Sequence, residues 1–172
     1  MASLMESLIM ILEEESVLYQ NLLELSTKKT PVVVAGDLEK LTHITDEEQT
    51  VVSKINHLDG KRQELLNDIA NVINKDVKEL KLANLIEMLK TRPEEQQQLA
   101  EVHDKLQDVV YQVARVNEQN RELINSALEM VEFDMNILQS VKGAPETANY
   151  NKTAYNVGSS MGVNTSGFDT KQ

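Results

Sequence analysis

Cysteine is absent from the 172 residues, which removes disulfides, thiolate zinc sites and cysteine nucleophiles from consideration. Tryptophan is absent too, aromatic residues make up only 3%, and there are 6 glycines and 3 prolines. That composition argues against a sheet protein with many turns and for long helices. No apolar run approaches the ~20 residues that cross a bilayer. The opening MASLMESLIMILEEES has no basic leader segment and reaches Glu6 almost at once, so the expected location is the cytoplasm, with no stable membrane insertion. Positive charge is also scarce. The formal net charge is −11, and the basic residues are scattered except at Lys28-Lys29 and Lys61-Arg62, so nucleic acid is not an expected partner.

What is present is helical periodicity. Apolar residues make up 41% of the chain, enough for the core of one folded unit. Leu4, Leu8, Ile11, Leu18, Leu22 and Leu25 follow a 4-3 alternation that only Glu15 interrupts, which predicts a first long helix. It should end near TKKTPVVVAGD, where Lys28 and Lys29 suit a helix C-terminus, Pro31 opposes continuation and Gly36-Asp37 offers a turn and a cap. The spacing resumes from Leu38 through Leu41, Ile44, Val51, Ile55, Leu58, Leu65, Ile69 and Val72, with Glu48 and Arg62 as polar exceptions. Thr45 and Glu48 have capping-box spacing and Gly60 weakens a helix interior, but one continuous second helix is the preferred reading.

Leu82, Leu85, Ile86 and Leu89 form a short apolar cluster, expected as a connecting helix folded back on the others. Thr91, Pro93, Glu94 and Glu95 then combine a capping box, a first-turn proline and acidic residues suited to a helix start. A third long helix follows through Leu99, Val102, Leu106, Val109, Val113, Val116, Asn120, Leu123, Ala127, Met130, Asp134, Ile137 and Val141. From Glu94 to Val141 it would be roughly 70 Å long. The predicted fold is all-α: an elongated antiparallel, coiled-coil-like bundle of three long helices plus a short connecting helix. Residues 1–142 form the bundle domain, and 143–172 are an Asn, Gly and Ser-rich flexible tail too poor in aliphatic residues to fold alone. Tyr150, Tyr155 and Phe168 stand in that tail, either as recognition anchors or as part of a solubilising segment.

Motifs for chemistry are missing. His43, His57 and His103 fall on different segments without metal-site spacing, so no metal or other cofactor is expected. No glycine loop could cradle a phosphate, no serine sits in a nucleophile elbow, and the chain is not expected to be an enzyme. The interior charges Glu15, Glu48 and Arg62 call for partners, since a buried charge is costly unless paired. A fold-back centred near residue 33 would bring Glu15 to the Glu48 region, with Arg115 or Arg121 of the third helix as the neutralising cation.

Two features mark the rear of the third helix. From Leu123 to Val141 the apolar residues cover an arc of roughly 220°, from Phe133 at one edge to Leu128 at the other, about twice an ordinary surface-helix stripe. Either the first two helices cover it together, or it is a docking groove for an amphipathic segment of another protein. Met130 and Met135 suit a groove that adapts to its guest and serve equally as core filler. Just before the arc, VNEQNRELI at residues 116 to 124 puts Asn117 and Asn120 on one face. Asparagine on a helical seam lowers stability but selects register and partner, because its amide must find a hydrogen bond. The pair is read as a specificity device at the mouth of the arc, or else as solvent-facing amides, a reading that suits Asn117 better than Asn120.

Asn117, Asn120, Leu123 and Ile124 match an N-x-x-N-x-x-L-[IL] signature. Further matches are Glu15 with Tyr19, Leu22 and Leu23, Asp37-Leu38 with Leu41, Arg62 with Leu65 and Leu66, and Tyr155 with Gly158. On these residues the sequence resembles the FlgN-type flagellar export chaperones over most of residues 1 to 142. The resemblance implies a cytoplasmic, non-enzymatic helical chaperone that binds a terminal helical region of unassembled flagellar hook-associated proteins. It would prevent their premature association and aid their delivery to the type III export gate. The C-terminal part of such chains is the usual client-binding region. The expected partner-binding set is therefore Asn117, Asn120, Leu123, Ile124, Leu128, Val131, Phe133, Met135 and Leu138, with Tyr150 and Tyr155. The rival expectation is a self-associating coiled-coil scaffold, with the arc as a homo-oligomer seam.

Overall fold

The computed structural model describes residues 2–143, all of them in helices, helical turns or short connections. The long helices are α1 (Ala2–Ala35), α2 (Leu38–Ile73) and α4 (Pro93–Gly143), and α3 (Leu82–Met88) is a short helix between 3-10 turns at Val77–Glu79 and Leu89–Thr91. No strand occurs among the described residues. The chain divides into two compact units, Met1–Met130 and Val131–Gln172. The first holds α1, α2, α3 and the front of α4. The described part of the second is helix as far as Gly143.

The end of α1 falls in the expected TKKTPVVVAGD stretch, at the Gly36-Asp37 turn and cap. Pro31 is inside the helix, on an exposed position, and the helix continues to Ala35. A mid-helix proline forfeits one backbone hydrogen bond and costs ~3 kcal/mol in isolation, but here its ring points to solvent and Val33 beyond it is buried. The stop comes at Gly36, whose φ of +68° needs a residue without a Cβ. Its N–H bonds the Val33 carbonyl at 3.1 Å and the Asp37 N–H bonds the Val32 carbonyl at 3.3 Å. Asp37 then caps α2, accepting from the Lys40 N–H. Helix α2 is continuous through Gly60. Thr45 does not cap: its hydroxyl bonds back to the Leu41 carbonyl at 2.8 Å. At the other end Asn74 turns left-handed and bonds the carbonyls of Ala70 and Asn71.

The main core of the first unit joins Met5, Leu8, Ile9 and Leu12 of α1 to Leu66 and Ile69 of α2, Leu85 of α3, and Leu99, Val102, Leu106 and Val109 of α4. A second cluster joins Leu22, Ile55 and Val113. Helix α4 therefore runs in the same direction as α1 and against α2. The connecting helix folds back as expected, with Leu85 and Leu89 buried and the Gln96 amide of α4 held on the Ile86 carbonyl at 2.9 Å. In α1 the innermost residues are not the series expected from Leu4. Met5, Leu12, Ser26 and Val33 are buried at multiples of seven from Met5, with Leu8, Glu15 and Leu22 between them, while Leu4, Ile11, Leu18 and Leu25 are half-buried flanks.

The turn at Gly36 also changes the charge pairing. Glu15, 2% exposed, lies 3.3 Å from the Arg62 guanidinium, and Arg62 pairs in addition with Asp59 one turn earlier. Glu48 is held by Lys29 at 2.7 Å and by the Ser26 hydroxyl at 3.0 Å. The expected neutralisation of Glu15 and Glu48 by Arg115 or Arg121 is thus corrected: both of those side chains are exposed, and the cations come from α1 and α2 themselves. Burial raises the Glu15 carboxyl above its ordinary range against the pull of Arg62, with Asp59 adding to the rise. The same burial, with Glu15 nearby, raises the Tyr19 phenol. Glu15 Oε1, Ser16 Oγ and Arg62 Nε are enclosed without a hydrogen-bond partner among the described residues.

Candidate functional site

Along α4 the burial pattern changes character at one place. Leu99, Val102, Leu106, Val109, Val113 and Asn120 are buried, Val116, Leu123 and Ile124 are intermediate, and from Asn125 to Gly143 every side chain is exposed. Leu128 is 58% exposed, Phe133 63% and Met135 54%, and Met130, Val131, Ile137, Leu138 and Val141 are exposed with them. Within the first unit, Leu128 and Met130 at the start of the arc are therefore not enclosed by α1 and α2.

The boundary between covered and uncovered helix is a polar knot. Asn120, 3% exposed, donates its Nδ2 to the Ser26 carbonyl at 2.8 Å and accepts at Oδ1 from the Thr30 hydroxyl at 2.6 Å. Ser26 in turn sends its hydroxyl to Glu48, so one serine ties α4 and α2 to α1. A buried amide with both ends satisfied fixes the axial register of the helices, since sliding by a turn would strand it. Asn120, expected among the partner-binding residues, has its side-chain amide buried and hydrogen-bonded within the chain. Asn117, one turn earlier, is exposed and makes no hydrogen bond among the described residues. With Lys29, Glu48, Asn120, Arg121, Ile124 and Asn125 it lines a surface pocket of about 340 Å³.

A larger groove of about 990 Å³ lies between α1 and α2. Met10 and Val17 are exposed in it, Glu13 and Glu14 stand along one wall, and Lys54, His57 and Lys61 along the other. The sequence reading missed it, although Met10 and Val17 sit seven residues apart and off the α1 seam. Of the other histidines, His43 pairs with Glu47 at 3.1 Å and His103 with Asp104 at 3.2 Å. Among the described residues no group of His, Asp and Glu side chains could hold a metal ion, and no helix is long and apolar enough to cross a membrane. Tyr150, Tyr155 and Phe168 lie outside the described residues.

The family model described as FlgN protein matches residues 1–157. The chain belongs to the FlgN family. FlgN proteins are chaperones of flagellum biogenesis, not an enzyme family, and this chain is a flagellar chaperone of that kind. It is 26% identical over 135 residues to the uncharacterized protein YvyG of Bacillus subtilis (strain 168), covering 78% of each chain. No solved structure matches.

Proposed function

We propose that this FlgN-family chain is a cytoplasmic chaperone that holds unassembled flagellar hook-associated proteins on the uncovered apolar side chains of α4. Holding them there keeps them from associating early and aids their delivery to the flagellar type III export apparatus. The observation that carries the reading is the exposure of Leu128, Val131, Phe133, Met135 and Leu138 together. Full burial of such a side chain contributes about 1.5–3 kcal/mol, and an amphipathic client helix laid along α4 supplies that burial. The unbranched Met130 and Met135 adapt to the shapes of different clients. Leu123 and Ile124, already half-buried, form the inner end of the surface, and Asn117 stands beside them. Tyr150 and Tyr155 are assigned to the same reading as further anchors for client or export gate.

Calorimetric titration with hook-associated proteins from the same organism tests the proposal. The wild-type chain binds at least one of them. The double variant Leu128→Asp, Leu138→Asp keeps its melting temperature, because both side chains are already in water, and loses affinity by at least about tenfold. A well-folded wild-type chain that binds none of them overturns the proposal. Sedimentation of the client-free protein addresses the rival. A tight dimer broken by the same two substitutions would make α4 a self-association seam and the protein a scaffold.

A further inference from the structure

The pocket at the boundary has a surplus of donors. Inside it the Glu48 carboxylate is taken up by Ser26 and Lys29, and the Asn120 amide by Ser26 and Thr30. What remains is the Arg121 guanidinium, whose nearest carboxylate is the exposed Glu118 at 3.8 Å, and the amides of Asn117 and Asn125. Neither amide has a hydrogen bond among the described residues, and both are exposed. Asn117, Arg121 and Asn125 are four residues apart on α4, so they form one ladder on its surface. The same face continues at helical spacing through Ile124 and Leu128. One stripe of α4 is thus polar and cationic at the bundle and apolar beyond it.

That order fits one end of a helix and repels the other. The last turn of a helix carries unsatisfied carbonyl oxygens and the negative end of the helix dipole, and at a chain end it carries a carboxylate as well. A guanidinium and two side-chain amides supply donors to several acceptors at once. The first turn of a helix, with its free N–H groups and positive pole, would meet the Arg121 guanidinium head-on.

We propose that the pocket formed by Asn117, Arg121 and Asn125 receives the C-terminal end of the client helix, so that the helix lies on α4 with its direction reversed relative to it. This rests on the reading of α4 as the client surface. It adds the polarity of the bound helix and the residues that set it. Arg121 and Asn117 act as specificity residues: an apolar helix presented the wrong way round would bury the same hydrocarbon but leave these donors unpaired.

The test uses the full chain and synthetic peptides of the terminal helices of the hook-associated proteins, each with a free or an amidated C-terminus, titrated by calorimetry at two salt concentrations. Arg121→Gln and Asn117→Ala each weaken binding of the free-acid peptide, together by about tenfold, with a shallower salt dependence. Arg115→Gln, an exposed charge outside the pocket, leaves binding unchanged. If the chain-terminal carboxylate is the group held, amidation reproduces the loss and makes Arg121→Gln silent. If the last-turn carbonyls of an internal helix are held, amidation has no effect and Arg121→Gln still weakens binding. Spin labels at the two peptide ends report direction, with the C-terminal label broadening resonances of Asn117 and Asn125. Broadening by the N-terminal label instead, or pocket variants that bind as tightly as wild type while Leu128→Asp with Leu138→Asp abolishes binding, overturns the inference and leaves the client surface standing. Wild-type protein that binds no client overturns both.

Discussion

Asn120 donates its side-chain N–H to the backbone carbonyl of Ser26 at 2.8 Å, a buried bond between α4 and α1 at the level where α4 loses its cover. Replacing Asn120 with Ala leaves the Ser26 carbonyl without its inter-helix donor and the Thr30 hydroxyl with only the Ser26 carbonyl, at 3.4 Å, to donate to. The expected loss is roughly 1–3 kcal/mol, read as a lower urea midpoint with an unchanged slope. No change in midpoint would mean that water replaces the amide at no cost.

The Glu15–Arg62 pair should behave asymmetrically. Arg62→Leu leaves an enclosed carboxylate facing only Asp59 and is expected to destabilise by about 3–5 kcal/mol. The double variant Glu15→Leu, Arg62→Leu removes both charges and is expected to recover most of that loss, because desolvation of the pair is removed with it. Equilibrium unfolding of the four proteins of the cycle measures both effects.

Glu15 also gives stability a pH signature. Its carboxyl is raised in the folded chain, first by burial and then by Asp59, with Arg62 opposing. A raised acid binds its proton more tightly folded than unfolded, so its contribution is most favourable below the ordinary value of 4.5. That contribution declines as pH climbs from there through the raised folded value. Glu15→Gln removes the slope. The difference in stability between Glu15→Gln and wild type is therefore expected to grow in favour of the variant across that window, measured by urea unfolding at several pH values. A flat difference would show that Arg62 cancels the burial.

The buried core lies wholly in the first unit, and every described residue after Ile124 is exposed. A chain ending at Met130 is expected to melt within a few degrees of the full chain while losing client affinity. A collapse of the melting temperature would place unseen stabilising contacts beyond that residue.

Much of this was legible in the periodicity. The α4 seam from Leu99 to Asn120 is buried where the spacing puts it, because a long helix with a regular apolar stripe has few other ways to hide it. The α1 interior was harder, since Ser16 and Ser26 are fully buried and a small hydroxyl leaves no hydropathy signal. The partners of Glu15 and Glu48 depended on where the chain reverses. That point is set by the left-handed backbone at Gly36, three residues beyond the expected midpoint near residue 33, and such a shift redirects every cross-helix pair. The role of Asn120 could be read only in kind: its place on the seam called for a hydrogen-bond partner, but the partner is a main-chain carbonyl 94 residues away in sequence.

The uncovered turns of α4 have a further consequence for its backbone. Among the described residues no side chains shield the helical hydrogen bonds there, which draw on local propensity and the cooperativity of the covered turns before them. Amide hydrogens from Leu99 to Val113 should therefore exchange with solvent on the slow clock of whole-domain opening. Those from Asn125 onward should run ever faster toward Gly143, a graded timer written into one helix.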